Sequence, residues 1–291
     1  MLKPRNKPVV QSTTTIGNAT EENIVINRPT SGLVHEIPSF NKETTSYTVK
    51  TVYEDNPVKD DETFPIVPTK IIDNFFTDDE IDFIKSFVDN FPERNHGHTG
   101  MEPGFPPDFI ERRIFVFNDV PEYEIVNDLM ISRIKQHFHP QLIIGNIQIL
   151  TAFLPYRAHG DAIFGEYGWN DDTYAAWTLI IPLGDYDSNT ILFNETSFKT
   201  KIVPEYIKDK EPIDKIDQET YEKYFTLESP VSMRYFSIDQ VYKWKKAQCF
   251  AASRYKFHGS DNFMKKGISY KQALVVWTAL PKSINILDDN K

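Results

Sequence analysis

Short apolar runs, separated by turn-forming residues, dominate the C-terminal part of this chain. Leu142–Phe153, Ala175–Leu183, Thr190–Phe193, Gln248–Ala252 and Lys271–Thr278 are rich in β-branched and aromatic residues and are bounded by Gly, Asn, Asp or Pro. That pattern predicts a β-sandwich or barrel. Helical patterning comes before it. Lys70–Phe76 reads as a strand, and Thr77 with Glu80 three residues on has the spacing of a capping box. Ile81, Ile84 and Val88 follow at helical spacing and predict a helix over 78–90. Val126, Met130 and Ile134 predict a second helix over 122–137, which Pro140 stops. Helices followed by strands is an α+β order.

Residues 1–64 differ from the rest. They are rich in Thr, Asn, Glu and Pro and poor in large apolar residues. They read as an extended or flexible arm, in which Ser46–Val52 has the composition of a strand able to join the main sheet. The folded domain is expected over 65–291, with a polar insertion at 196–243 that holds a short helix at Gln218–Phe225.

The net charge of −10 repels phosphate backbones, which argues against nucleic acid as a partner. Cys249 is the single cysteine, so no intrachain disulfide can form, in keeping with a reducing compartment. The opening Met1-Leu-Lys-Pro-Arg-Asn-Lys-Pro lacks the apolar centre of a signal peptide. No run approaches the length of a membrane-spanning helix. The expectation is a soluble, cytoplasmic protein of undetermined oligomeric state with no membrane partner.

Histidine is scarce, and His159 stands out in Arg157-Ala-His-Gly-Asp-Ala162. On extended backbone, residues i and i+2 face the same way, so His159 and Asp161 can grip one ion. His258, in Tyr255-Lys-Phe-His-Gly-Ser, follows the Gln248–Ala252 run and is the candidate third ligand. Two imidazoles and one carboxylate on one face of a six-coordinate ion leave open positions for other ligands. The plainer alternative makes His159 a surface-turn residue and His258 a satisfied loop histidine. Rival pairs exist at His96 and His98, in a Gly/Pro-rich stretch read as a loop, and at His137 and His139, where a helix C-terminus favours histidine without a metal. His35 falls in the arm. Lys271 is the only charge in the last apolar run, so it either marks an exposed strand start or needs an anionic partner.

Together, His159-Gly-Asp161, the distant His258 and Lys271 opening the final run resemble the signature of the Fe(II)/2-oxoglutarate-dependent dioxygenase superfamily, in the style of its prolyl-hydroxylase branch. Trp277, Leu179–Asp187 and Ile72–Glu80 are similar to other parts of that pattern. The resemblance spans about residues 68–281. It implies a double-stranded β-helix (jelly-roll) core with supporting N-terminal helices. It also implies Fe(II) held by His159, Asp161 and His258, with the far carboxylate of 2-oxoglutarate held by Lys271. O2 would be the oxidant, succinate and CO2 would be released, and a small molecule, amino acid or peptide would be hydroxylated. Where the family commonly places Tyr or Arg for a second cosubstrate contact, this chain offers Thr151. Tyr156, Arg157, Arg254 and the aromatic, acidic stretch 162–176 are candidates for substrate contact. Two other readings compete: a cupin-like metal enzyme that does not use 2-oxoglutarate, and a non-catalytic binding module on the same fold.

Overall fold

In a computed structural model, the structure describes residues 9–15, 22–27, 46–51, 64–90, 96–99, 109–115, 121–162, 164–200, 202–225 and 227–284. The chain divides into two compact units, Met1–Glu62 and Thr63–Lys291. In the first unit, β1 (Val9–Thr15) pairs antiparallel with β2 (Glu22–Asn27) and with β3 (Ser46–Thr51). The strand expected near Ser46–Val52 forms, and it pairs with β1 in this small sheet.

The second unit begins with β4 (Lys70–Ile72) and α1 (Asp78–Asn90). The capping box at the start of α1 is reciprocal. The Thr77 amide donates to Glu80 Oε2 at 2.7 Å, and the Glu80 amide donates to Thr77 Oγ1 at 3.2 Å. Next come β5 (His96–Thr99), β6 (Phe109–Phe115) and α2 (Pro121–His137). Arg133 of α2 donates to both Glu80 oxygens, at 2.7 and 3.0 Å, and ties the two helices together. Val126, Met130 and Ile134 are buried as their spacing required, each stabilising the fold by about 1.5–3 kcal/mol. At the end of α2, Phe138 meets Trp177 edge-on at 5.3 Å, so this helix end packs on a sheet face.

The remaining strands are β7 (Ile143–Ala152), β8 (Thr173–Pro182), β9 (Asn189–Thr196), β10 (Ile238–Lys243), β11 (Cys249–Ser253), β12 (Lys256–Ser260) and β13 (Lys271–Pro281). Between β9 and β10 lie three short helices: α3 (Val203–Ile207), α4 (Gln218–Tyr224) and α5 (Pro230–Met233). One sheet has seven strands in the order β4-β11-β8-β13-β7-β6-β5; a second has three, β10-β9-β12. The ladders are antiparallel throughout.

The two sheets face each other. Ile180, Phe250, Ala273, Val275 and Trp277 of the large sheet share one buried cluster with Leu192, Tyr242 and Trp244 from the small-sheet side. The central strands β8 and β13 are buried on both faces, which explains their nearly continuous apolar sequence. The insertion is less polar in its packing than in its composition. Val203, Phe225, Met233 and Phe236 cover Ile191, Phe193 and Phe257 on the other side of the small sheet. The insertion thereby reaches the edge of the space between the sheets.

In the second unit, sequence patterning did not signal β5, β6, β10 or β12; β10 falls inside the stretch read as a polar insertion. The stretch 96–99, read as a loop, is a strand paired with β6, and His258 lies within β12, not in a loop after a strand. Among the described residues, no helix is long and apolar enough to cross a membrane.

Candidate metal centre and cosubstrate pocket

His159 lies on an extended segment just after β7. Its backbone exchanges two hydrogen bonds with His258 of β12, each 2.9 Å. This short bridge puts the two imidazoles side by side, with ring centroids 4.5 Å apart. Gly259 permits the close approach, because a Cβ there would lie 3.2 Å from the Ala158 amide nitrogen and 3.3 Å from the Tyr156 carbonyl oxygen. Asp161, two residues beyond His159, turns its carboxylate to both rings. His159 Nε2 is 3.7 Å from Oδ1, and His258 Nε2 is 3.3 Å from Oδ2. The three ligand atoms all lie within 4.8 Å of one another. Donors at adjacent positions of a six-coordinate ion with bonds of about 2.1 Å are about 3 Å apart, so small movements would close the set on one ion.

The donor chemistry fits such an ion. His159 Nδ1 is 2.7 Å from the Arg157 carbonyl, and His258 Nδ1 is 3.4 Å from the Lys256 carbonyl. With Nδ1 carrying the hydrogen toward a carbonyl, Nε2 is left as the free ligand atom. Burial alone would raise the Asp161 pKa. The His258 and His159 rings, the Thr178 hydroxyl (2.6 Å from Oδ2) and the Trp277 indole outweigh burial and bring it down to about 2. Asp161 is therefore a carboxylate ready to bind a cation.

Arg254 supports the Asp161 backbone from behind. It is fully buried. Nε and Nη2 donate to the Asp161 carbonyl at 3.1 and 3.0 Å, and Nη1 donates to the Tyr167 and Thr278 carbonyls, both at 3.0 Å. Four of its five N–H groups are thus taken by backbone carbonyls, and the side chain does not line the cavity, contrary to its sequence-based candidacy. Arg254→Met is expected to leave these carbonyls without donors, at about 1–3 kcal/mol each. Urea denaturation should show a loss of several kcal/mol, and metal titration a roughly tenfold weaker Fe(II) affinity.

The triad opens onto a cavity of about 290 Å³ between the sheets. Gln148, Leu150 and Ala152 of β7 line it, as do alternate residues of β13: Lys271, Ala273, Val275 and Trp277. This period of two is that of strand side chains. The same parity excludes Thr151, which points to the other face and accepts a hydrogen bond from Gln272 Nε2 at 3.1 Å. Thr151 therefore does not line this cavity. Gln148 is the polar group of β7 that does reach the cavity, and its Oε1 is buried with no protein partner.

Lys271 lies in the cavity wall with 2 % of its surface exposed, which rules out the exposed-start alternative. It pairs in register with Ala152, while Trp277, beside Asp161, pairs with Asn146 and Thr178. Lys271 and the triad thus belong to opposite ends of the cavity-facing part of β13. Burial pushes its pKa down to about 7; Asp261 opposes this and Lys266 reinforces it. Its Nζ donates to Ser188 Oγ at 3.0 Å and sits 3.9 Å from the centre of the Trp244 ring.

Tyr156, Arg157, Glu166 and Tyr167 line the cavity near the triad. Tyr167 stacks on Trp277 at 4.6 Å, whereas Trp169 is a core residue packed on Phe64 and Tyr255. Glu228, from the insertion, was not singled out in the sequence because it lies in a polar stretch among many other acids. It lines the cavity and accepts a hydrogen bond from the Ala158 amide, next to His159. Burial pushes its pKa up to about 7 against the pull of the Ala158 amide and Arg157.

Of the rival histidines, His137 and His139 join no second group of three ligands among the described residues. His137 packs on Phe75 with ring centroids 5.5 Å apart, and His139 Nδ1 accepts from the Gln141 amide at 3.1 Å. Among the described residues, His159, Asp161 and His258 form the only group of three such ligands. His35 and the side chains of His96 and His98 lie outside the described residues.

No family model matches the chain, and no curated protein matches it. Solved structures similar to it include SnoN, a non-heme α-ketoglutarate-dependent epimerase from nogalamycin biosynthesis. It is 10% identical with a TM-score of 0.45, covering 77% of this chain and 85% of that one. HygX from Streptomyces hygroscopicus, with nickel and 2-oxoglutarate bound, is 12% identical with a TM-score of 0.42, covering 75% and 85%. An oxidoreductase of the 2OG-Fe(II) oxygenase family from Burkholderia pseudomallei is 14% identical with a TM-score of 0.44, covering 72% and 84%.

Proposed function

We propose that residues 65–291 form an Fe(II)- and 2-oxoglutarate-dependent dioxygenase on a double-stranded β-helix. His159, Asp161 and His258 are its metal ligands and Lys271 its cosubstrate anchor. The observation that carries this reading is the pairing of a two-histidine, one-carboxylate group with a desolvated lysine in one cavity. An ammonium taken out of water with no direct carboxylate partner favours an anionic ligand. A dicarboxylate that chelates a metal at one end and meets a cation at the other suits both features.

Bound Fe(II) supplies the redox chemistry that couples O2-driven decarboxylation of 2-oxoglutarate, giving succinate and CO2, to oxidation of a substrate C–H bond. The protein's own part is geometric. Nδ1 contacts orient both histidines, Thr178 and Arg254 hold Asp161, and the apolar walls from Leu150, Ile180 and Val275 keep water from the cosubstrate. Tyr156, Arg157 and Glu228 form a polar wall beside the metal ligands, suited to a small polar substrate or an exposed peptide side chain that undergoes hydroxylation. The insertion 196–243 serves as its cover.

Anaerobic titration with Fe(II) and 2-oxoglutarate tests the reading. A visible charge-transfer absorption band is the expected result, and its absence at saturating 2-oxoglutarate would overturn the assignment. Succinate release with candidate substrate pools, read by mass spectrometry for the gain of one oxygen atom, then identifies the substrate.

A further inference from the structure

Lys271 has an unusual environment for a buried ammonium. Among the described residues, it makes no direct ion pair. It reaches the Asp261 carboxylate through Ser188, whose hydroxyl accepts from Lys271 Nζ at 3.0 Å and donates to Asp261 Oδ1 at 2.8 Å. Ser188 and Asp261 are both fully buried. The β9–β12 ladder brings them together, because Ser188 precedes β9, Asp261 follows β12, and Thr190 pairs with Ser260. Lys271 comes from the opposing sheet, so the contact spans the space between the two.

We propose that Ser188 and Asp261 are positioning residues for cosubstrate binding: they support the Lys271 ammonium through one N–H and leave its remaining N–H groups to an incoming carboxylate. This rests on the assignment of Lys271 as the 2-oxoglutarate anchor. A direct Lys271–Asp261 pair would occupy the ammonium with an internal anion, and the cosubstrate would have to displace it. The intervening serine keeps the favourable field of Asp261 but not the competing contact. Asp261 is stabilised independently by Asn189 Nδ2 at 2.7 Å and by Lys266 Nζ at 3.0 Å.

The charged groups acting on Lys271 are Asp261, which favours its ammonium form, and Lys266, which disfavours it. Lys266 also reaches Asp187 at 3.5 Å. Substitutions at Asp261 and Lys266 should therefore act in opposite directions, and only where Lys271 is partly deprotonated.

The test measures 2-oxoglutarate affinity of the anaerobic Fe(II)-loaded protein between pH 6 and pH 8.5. Wild type is compared with Asp261→Asn, Ser188→Ala and Lys266→Met. If loss of Asp261 lowers the Lys271 pKa by about one unit, Asp261→Asn weakens binding about tenfold at pH 8 but less than about twofold at pH 6. Ser188→Ala follows the same pattern, and Ser188→Thr restores wild-type binding. Lys266→Met binds several-fold more tightly at pH 8 and equally at pH 6, for a comparable upward shift. Because the Lys266 side chain is 31% exposed, this variant retains the fold even if the buried substitutions do not. An equal loss at every pH for Asp261→Asn, or no tightening in Lys266→Met, overturns the proposal while leaving the Lys271 assignment intact. Failure of wild type to bind 2-oxoglutarate removes both.

Discussion

Lys271→Ala is expected to weaken 2-oxoglutarate binding by at least about 30-fold while Fe(II) binding survives. Truncating one partner of a buried, hydrogen-bonded charge pair costs about 2–5 kcal/mol, and each 1.4 kcal/mol is about tenfold in affinity. The metal ligands come from the β7–β8 connection and β12, so the loss should not spread to the iron. The wild-type protein should also show a pH signature. Burial brings the Lys271 pKa down to about 7. A carboxylate needs the protonated form, so binding must be accompanied by proton uptake once the pH exceeds that value. Affinity should be flat below about pH 7 and fall about tenfold per unit above it, until the raised pKa of the complex is reached. Isothermal titration at several pH values in buffers of different ionisation enthalpy measures both the affinity and the proton uptake. Iron-dependent turnover unchanged in Lys271→Ala would instead favour a metal enzyme that does not use 2-oxoglutarate.

Asp161→Asn should lower Fe(II) affinity by more than about 100-fold, exceeding the 10- to 100-fold typical of losing a group that merely supports a ligand. The substitution preserves shape, and the Arg254 contacts go to the Asp161 main-chain carbonyl, so the local backbone is retained. What disappears is the one anionic donor of the set. His258→Ala should have an effect of similar size and also open space beside His159. Metal content after dialysis, with circular dichroism as a check on folding, distinguishes metal loss from unfolding. Full iron loading of Asp161→Asn would remove the metal-centre assignment.

Several features of the site are local in origin and were open to sequence reasoning. The two-residue spacing of His159 and Asp161 on extended backbone sets their shared orientation. A lone lysine in the apolar run of β13 called for either an exposed strand start or an anionic partner, and its burial removes the first. The helices were legible because capping and period are local: the Thr77–Glu80 exchange and the buried Val126, Met130 and Ile134 follow from neighbours in the chain.

Other features depend on register and long-range pairing, which short segments do not encode. Thr151 and Gln148 look equally plausible in isolation; the pairing of β7 with β13 turns Gln148 inward and Thr151 outward. Arg254 reads as a substrate contact until its guanidinium is seen to be spent on the Asp161, Tyr167 and Thr278 carbonyls. Glu228 and Asp261 have no local signature among so many acids. They matter only because the insertion packs on β9 and β12 and because those two strands lie side by side.

The pair His159 and Asp161 shows where the division falls. Residue type and spacing were enough to define two donors that can bind one ion, because adjacent backbone geometry is short-ranged and nearly invariant. Only the tertiary structure brings His258 beside them across almost a hundred residues of chain, bridges it to His159 backbone to backbone, and places Lys271 across the same cavity. That convergence depends on which strands pair and which faces meet, and those are set by burial of the whole core.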